Sequence, residues 1–244
     1  KNVEIFQEKT IVEALENEAG LSVKTKKYTY LMAWNSIPVG SIYAQVGPFT
    51  EYQGKKVLMV SVKTESNKFL SKIYRIDDVF ISYIDLDTFR CIRHEANRKE
   101  GNYRKNLIID YDFENLTATY SNLKDGSVKK CEILPDSHDI LSVIIEFTTL
   151  PVKPGETLHM ELNLNEKNYD LYGYVESLEV VILPGKKYVP AFKIKPYAML
   201  DGKKYERGKG YLYFSADKNR DPIYGAVEIP FGKVTATLKS IDEI

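Results

Sequence analysis

The sequence predicts an all-β, mainly antiparallel protein in which a large curved sheet, a half-barrel or a sandwich, wraps one or two short helices. Tyr occurs 18 times and Phe 10 times against one Trp, and aromatic residues suit a pleated, half-buried surface. From Val23 onward apolar residues alternate with a period of two, as in strands. Short polar connections separate these runs, which favours hairpins between antiparallel neighbours.

Charge and hydropathy exclude several classes of protein. The 34 Lys and Arg residues balance the 34 Asp and Glu residues, so the formal net charge is zero. A nucleic-acid-binding protein would carry a basic excess, so we predict no nucleic-acid partner. No apolar run approaches the ~18 residues that a transmembrane helix needs. The chain begins at Lys1 rather than Met, which is consistent with a processed or trimmed start.

The first residues differ from the rest of the chain. Apolar residues recur there at helical spacing and Gly20 follows as a stop signal, which predicts a short amphipathic helix over residues 4–19. We therefore divide the chain into an N-terminal helix or tail, 1–22, and a single antiparallel β domain, 23–244. The stretch 151–155, which holds Pro151, Pro154 and Gly155, is where a seam would fall if that domain divides.

The β domain is predicted element by element from alternation and turn signals. A strand from Tyr28 to Trp34 is apolar on both faces, and a turn at Pro38–Gly40 leads back into Ile42–Val46. The apolar residues of 67–74 have helical spacing and predict a helical turn. The other predicted strands are Val57–Lys63, Val79–Ile84, Phe89–Asn97, Tyr103–Phe113, Leu116–Ser121, Val128–Ile133, Thr157–Leu164, Tyr169–Ile182, Val189–Pro196, Gly210–Ser215, Ile223–Ile229 and Lys233–Lys239.

One helix interrupts the strands over residues 137–149. Asp136 or Ser137 is expected to cap it, with Asp139 in its first turn. Its broad apolar stripe must be buried, most simply inside the curve of the sheet. Prolines at 151 and 154 prevent its continuation.

No catalytic or metal-binding motif is present. The three histidines, His94, His138 and His159, belong to no metal-ligand or nucleophile pattern. We predict no catalytic residue and no cofactor. Cys91 and Cys131 are expected on strands separated by two others, roughly 14 Å apart, which predicts no disulfide between them.

A calcium loop is the weak alternative to having no metal site. Asp217, Asn219 and Asp221 follow the alternating spacing of calcium ligands, and Glu228 stands at the twelfth position. An EF-hand loop requires Gly at its sixth position, where this sequence has Pro222. A polar hairpin loop is therefore the favoured interpretation.

Aromatic residues are the candidate binding residues. Tyrosine combines an apolar ring with a polar tip, which suits amphipathic ligands and sugars. Ordinary packing within the sheet remains the alternative interpretation. The candidates share strand faces in three sets: Tyr28, Tyr30 and Trp34; Tyr172 and Tyr174; and Tyr211 and Tyr213.

An ordered series of short segments runs through the β domain: AWNSIPVG (33–40), KTESN (63–67), IYRIDD (73–78), SYID (82–85), EGNYR (100–104), HDILS (138–142), LPVKPG (150–155), SADKNRDP (215–222) and PFG (230–232). In this order the segments resemble the bacterial exported proteins of the domain of unknown function 3108 family, over about residues 28–238. The resemblance implies an antiparallel β fold, export to the envelope of a Gram-negative bacterium and no assigned catalytic residues, with similarity to the half-open sheets of envelope lipoproteins. Where the family leads us to expect Arg after the helix aromatic, this chain has Phe147-Thr148-Thr149.

Three functions remain open at this point. The leading hypothesis is a non-enzymatic exported protein, periplasmic or anchored at the outer-membrane surface. It would bind an amphipathic or apolar envelope component, such as a lipid or glycan, in the concave face of the sheet, or act as an assembly scaffold. A carbohydrate-binding protein that uses surface tyrosines is the second hypothesis, and an uncharacterised hydrolase is the third.

Overall fold

A computed structural model describes residues 25–205 and 209–243. The helix expected over residues 4–19 lies outside these ranges. Within the described residues, one helix, α1, spans Ile140–Thr149, and one 3₁₀ turn spans Leu70–Lys72, inside the helical turn expected over residues 67–74. The strands are β1 (Lys26–Trp34), β2 (Ile37–Tyr52), β3 (Lys55–Ser66), β4 (Asp77–Asp85), β5 (Cys91–Glu100), β6 (Tyr103–Asp112), β7 (Thr117–Asn122), β8 (Val128–Glu132), β9 (Ser137–His138), β10 (Thr157–Leu164), β11 (Lys167–Leu183), β12 (Lys187–Leu200), β13 (Lys203–Tyr205), β14 (Gly210–Ser215), β15 (Pro222–Ile229) and β16 (Gly232–Glu243).

All of these strands belong to one sheet built as two meanders. The order is β8-β7-β6-β5-β4-β3-β2-β1-β16-β15-β14-β12-β11-β10-β9, and β13 pairs beside β12. Every pairing is antiparallel except the two-residue contact of β9 with β10. The prediction of a curved, mainly antiparallel all-β fold is confirmed.

The sheet is not closed into a barrel, and side chains bridge its open seam. No backbone ladder joins β8 to β9 or β10 within the described residues. Instead, the Tyr120 hydroxyl donates to Asn163 Oδ1 over 2.6 Å, and Asn168 Nδ2 donates to the Glu132 carbonyl over 2.9 Å. These contacts hold the two ends of the sheet together without continuous strand pairing.

The helix begins three residues later than the sequence predicted. Asp139 is its N-cap: the Asp139 carboxylate accepts from Ser142 N (2.8 Å), and Ser142 Oγ accepts from Asp139 N (3.0 Å). This reciprocal capping box fixes the start at Ile140. The expected cap at Asp136 or Ser137 is wrong, because Ser137 is drawn into β9 by pairing with β10.

Helix α1 lies between the two halves of the sheet, as predicted. Val143 and Phe147 pack on the C-terminal half, whereas Leu141 and Ile145 pack on the N-terminal half. Within the described ranges no helix has the length and apolar content that a membrane crossing requires. Cys91 and Cys131 are free thiols, as expected. The contacting core residues are Val175, Ile194 and Phe214 on the C-terminal half and Leu58, Val60 and Ile84 on the N-terminal half.

Candidate functional site

An apolar recess separates α1 from the C-terminal half of the sheet. It measures about 410 Å³ when the space at its mouth is counted, and about 50 Å³ of it can hold the centre of a water-sized sphere. Strands β10, β11, β12 and β14 form one wall and α1 forms the other. The lining residues are Val143, Ile144, Phe147, Leu158, Met160, Leu171, Tyr172, Gly173, Ile194, Pro196, Leu212 and Phe214. We call this space the apolar recess.

Strand alternation and one glycine create the recess. Leu171, Gly173 and Val175 follow one another at every second position of β11, so they share the face toward α1. A Cβ atom built on Gly173 would lie 3.3 Å from Ile194 Cγ2 and 4.0 Å from Phe147 Cε2. A Cβ atom here would crowd Ile194, so Gly173 marks a close approach inside the strand and contributes no side chain of its own to the recess.

The chemistry of the recess favours an apolar occupant. A water molecule needs only ~10–15 Å³ of such space but requires two to four polar partners. Of the lining residues, only Tyr172 has a polar side chain. Water is therefore poorly held here, and an alkyl group would replace it favourably by ~0.8 kcal/mol for each buried methylene.

On the side of α1 away from the apolar recess, a buried polar cluster holds the N-terminus of the helix. His94 Nδ1 lies 2.6 Å from Asp139 Oδ2 and 2.9 Å from Ser82 Oγ, and Ser82 Oγ also donates to Asp139. Burial by itself would raise the pKa of Asp139, but hydrogen bonds and charge attraction from His94, and hydrogen bonds from Ser142 and Ser82, lower it to about 2. The cluster ties β4 and β5 to the start of the helix.

This cluster has the residue types of a hydrolase but not the geometry. In a nucleophilic relay the serine and the carboxylate contact opposite nitrogens of the imidazole ring. Here Ser82 and Asp139 both contact Nδ1 of His94. Ser82 is also fully buried, with an exposed fraction of 0%, so a substrate has no path to its hydroxyl. The arrangement suits anchoring, and it gives the hydrolase hypothesis no support.

The other two histidines also contact carboxylates, at separate places. His138 Nε2 lies 2.6 Å from Glu146 Oε2 in a buried contact beside α1. His159 Nε2 lies 2.9 Å from Asp170 Oδ1 between exposed side chains of β10 and β11. Neither pair has a nucleophilic side chain among its hydrogen-bond partners.

Two of the three residues in the first set of predicted aromatic residues are buried. Tyr28 and Tyr30 are buried, and their hydroxyls donate to Asp221 Oδ1 (2.7 Å) and to the Pro222 carbonyl (2.8 Å). Burial and the neighbouring Asp221 raise the pKa of both tyrosines. Trp34 lies at the end of β1, where its indole donates to the Phe231 carbonyl. The set therefore contributes mainly to packing.

The remaining tyrosines also engage one another or charged neighbours. Tyr172 stacks on Tyr197 with ring centroids 4.9 Å apart, so one ring face is occupied. Burial, together with the hydrogen bond to Glu179, raises the pKa of Tyr213 to about 12. Tyr211 packs against Tyr213, and Tyr174 keeps 39% of its surface exposed. No planar row of exposed rings is formed by these candidates.

The calcium alternative gains nothing from the geometry. Asp217 Oδ1 accepts from Ser215 Oγ and from Asn219 N, which organises the turn itself. Asp221 faces Tyr28 and Lys26, and Glu228 lies within β15. In the part of the chain that the structure covers, no group of three His, Cys, Asp or Glu residues is placed to hold a metal ion.

Comparison with known proteins places the chain in a family. A β-barrel-like protein of domain of unknown function DUF1849 from Brucella abortus matches with a TM-score of 0.58 at 8% identity, over 92% of this chain and 99% of that one. A protein with a YmcC-like fold from Bacteroides fragilis matches with a TM-score of 0.32 at 12% identity, over 89% of this chain and 95% of that one. The first likeness shows a shared fold. No curated protein matches significantly. Residues 29–239 match the profile of DUF3108, described as proteins of unknown function, and the chain belongs to that family.

Proposed function

We propose that the protein is a non-enzymatic component of the bacterial envelope that binds the apolar part of an amphipathic molecule in the apolar recess. The occupant is an alkyl chain, and its polar end remains at the mouth. The sequence resemblance described above supports export, to the periplasm or to the outer-membrane surface. An assembly scaffold with an unused recess is the alternative.

The observation that carries this proposal is an unfilled apolar space inside an otherwise packed interior. The part of the recess that can hold the centre of a water-sized sphere is about 50 Å³, several times the ~10–15 Å³ that one water molecule requires. Its more enclosed part accommodates the end of one chain rather than a whole lipid. Phe147 and Phe214, with ring centroids 4.3 Å apart, form a wall against which methylene groups can pack.

The direct experiment measures binding of dansyl-undecanoic acid by fluorescence, using protein purified without detergent and extracted to remove bound lipid. In a Gly173→Val variant the new side chain occupies the recess. Gly173 does not have a positive φ, so the backbone accepts valine, while Ile194 Cγ2, 3.3 Å from the new Cβ atom, must shift by a few tenths of an ångström. Exclusion of two methylene groups costs about 1.6 kcal/mol, which is roughly a tenfold loss of affinity.

Tyr174→Val is the matched control, because it introduces the same side chain at the next residue, on the opposite face of β11. We expect it to bind the fatty acid like the wild type. Loss of binding in Tyr174→Val with retention in Gly173→Val would instead favour recognition through surface tyrosines. Absence of wild-type binding, together with no lipid in an organic extract of the untreated protein, would leave the scaffold alternative.

A further inference from the structure

One edge of the N-terminal half of the sheet gathers positive charge. In an antiparallel meander alternate connections lie at the same edge, and the connections after β3, β5 and β7 share this one. We call the segments 67–76, 97–106 and 122–128 the basic rim. They contain two acidic residues, Glu100 and Asp125, and eight basic residues: Lys68, Lys72, Arg75, Arg98, Lys99, Arg104, Lys105 and Lys124.

Most of these cations are not neutralised by the protein. Arg75 pairs with Asp77 at 3.5 Å, and Arg98 pairs with Glu100 and lies 4.0 Å from Asp78. Asp125 accepts from the backbone N–H of Ser127 within its own turn. The described residues offer no ion pair to the other six basic side chains of the rim: Lys68, Lys72, Lys99, Arg104, Lys105 and Lys124.

Several cations of the rim converge on one open groove. The groove lies beside the β5–β6 hairpin and measures about 530 Å³ with its open side. An anionic headgroup placed here would meet cations from two connections at once, since Lys124 comes from the connection after β7. Its charged and apolar lining residues are Arg98, Lys99, Arg104, Lys105, Lys124 and Leu123.

Apolar side chains project from the same segments. Ile73 is 78% exposed, Phe69 is 61% exposed and Leu123 is 57% exposed. Large apolar side chains among unpaired cations are poorly suited to water. They are suited to a membrane interface, where the cations meet lipid phosphate groups and the apolar side chains enter the boundary between headgroups and acyl chains.

The rim is held as one unit by contacts between its segments. Gly101 N donates to the Arg75 carbonyl over 2.8 Å, and Leu123 N donates to the Asn106 carbonyl over 2.8 Å. A Cβ atom on Gly101 would lie 2.8 Å from the Tyr74 ring, which shows how closely the two connections approach. The backbone segments that carry the charges are therefore held in a fixed arrangement.

The opposite edge of the same strands has the reverse charge balance. The connections 52–55, 85–90 and 112–116 contain two basic residues, Lys55 and Arg90, and four acidic ones: Asp85, Asp87, Asp112 and Glu114. The zero net charge of the chain thus conceals a separation of charge along the strands.

We infer that the basic rim is a docking surface for an anionic lipid bilayer. Each cation near an anionic membrane contributes ~1 kcal/mol to the binding free energy. The exposed apolar side chains can also insert into the membrane, which a site for a soluble polyanion does not need. This inference does not depend on the apolar recess, and it orients the rim toward the membrane and the acidic edge away from it.

The test is flotation with two kinds of vesicle. One kind is phosphatidylcholine alone, and the other also contains about 30% phosphatidylglycerol, which gives the membrane a negative surface potential. The wild type should float with the anionic vesicles at low salt, less at high salt, and not with neutral vesicles. The fourfold variant Lys68→Glu, Lys72→Glu, Lys99→Glu, Lys124→Glu should lose binding by on the order of a hundredfold or more.

A second fourfold variant, Lys56→Glu, Lys186→Glu, Lys187→Glu, Lys218→Glu, is the matched control. These lysines are also exposed and lie at the ends of the strands away from the rim, Lys56 in β3 and the other three at the β11–β12 and β14–β15 connections. The change in net charge is identical in the two variants. It should float like the wild type. Equal loss in both variants, or an unaffected rim variant, overturns the inference.

Removal of the apolar tips separates a bilayer from other polyanions. Phe69→Ser with Ile73→Ser keeps every cation of the rim, and both side chains are exposed, so the fold should persist. This variant should lose vesicle binding by at least several-fold, while its retention on a heparin column remains unchanged. Undiminished vesicle binding would assign the rim to a soluble polyanion and contradict membrane docking.

Discussion

The two sides of helix α1 differ in how the protein fills them. Toward the N-terminal half, Leu141 and Ile145 enter a packed cluster, and Asp139 is held by Ser82 and His94. Toward the C-terminal half, Ile144 and Phe147 border the apolar recess. One side fixes the helix by polar contacts, and the other leaves apolar surface without a partner.

This difference shows how a helix can be held rigidly on one side and still border an unfilled apolar space on the other. A capped and anchored N-terminus positions the helix, so the recess on its other side does not have to be closed by the helix moving inward. Native interiors have few voids larger than water because their atoms relax to fill them. The recess persists because the anchored helix does not move inward and because Gly173 in β11 has no side chain to fill the space.

The largest expected effect comes from removing the anchor. Asp139→Ala leaves Ser82 and His94 without their buried partner and removes the helix cap, so we expect a loss of about 3–5 kcal/mol in the free energy of unfolding. Urea denaturation measures it. Asp136→Ala, at a side chain that is 82% exposed, should change it by under about 0.5 kcal/mol. Similar losses in the two variants would contradict the anchoring role.

A pair of truncations in α1 compares its two sides directly. Leu141→Ala removes a side chain from the packed side and should cost about 3 kcal/mol. Ile144→Ala removes one that already borders open space, loses fewer contacts and should cost about 1 kcal/mol. Denaturation measures both. Ile144→Ala also enlarges the recess, so fatty-acid binding should not weaken; equal costs would mean that the two sides are equally packed.

The pH dependence of the anchor is a smaller effect than removal of Asp139. The pKa of Asp139 is lowered from 3.8 to about 2 in the folded protein, so its contribution is complete above the unfolded value and is lost as the pH falls from about 4 toward 2. This loss in the free energy of unfolding is about 2 kcal/mol. The stability difference between wild type and Asp139→Asn should shrink over that interval, since other carboxylates titrate in both. A difference that stays constant from pH 7 to pH 2.5 would show that Asp139 carries no such charge.

The sequence predicted the frame well because its signals are local. Hairpins follow from alternation and turn residues, and the strands expected at Val79–Ile84 and Leu116–Ser121 match β4 and β7 to within two residues at each end. The helix start was misplaced because Asp136 and Ser137 also have capping side chains. Only the reciprocal contact of Asp139 with Ser142, an unusual variant of the capping box, decides between them.

The candidate site was less predictable because it depends on contacts between distant segments. Ser82, His94 and Asp139 come from three elements, and no spacing rule relates them. Tyr28 and Tyr30 do share a face, with ring centroids 6.3 Å apart, but alternation alone does not show that this face of β1 is the buried one. Gly173, between two tyrosines of a strand, was the local signal that sequence reasoning did not use.

The most direct test of the central claim is a crystal structure of the protein with a long-chain fatty acid. We predict that the end of the alkyl chain lies in the apolar recess, in van der Waals contact with Phe147, Leu212 and the Cα atom of Gly173. A fatty acid bound elsewhere on the protein, or a recess filled by the protein's own side chains in the presence of the ligand, would contradict it.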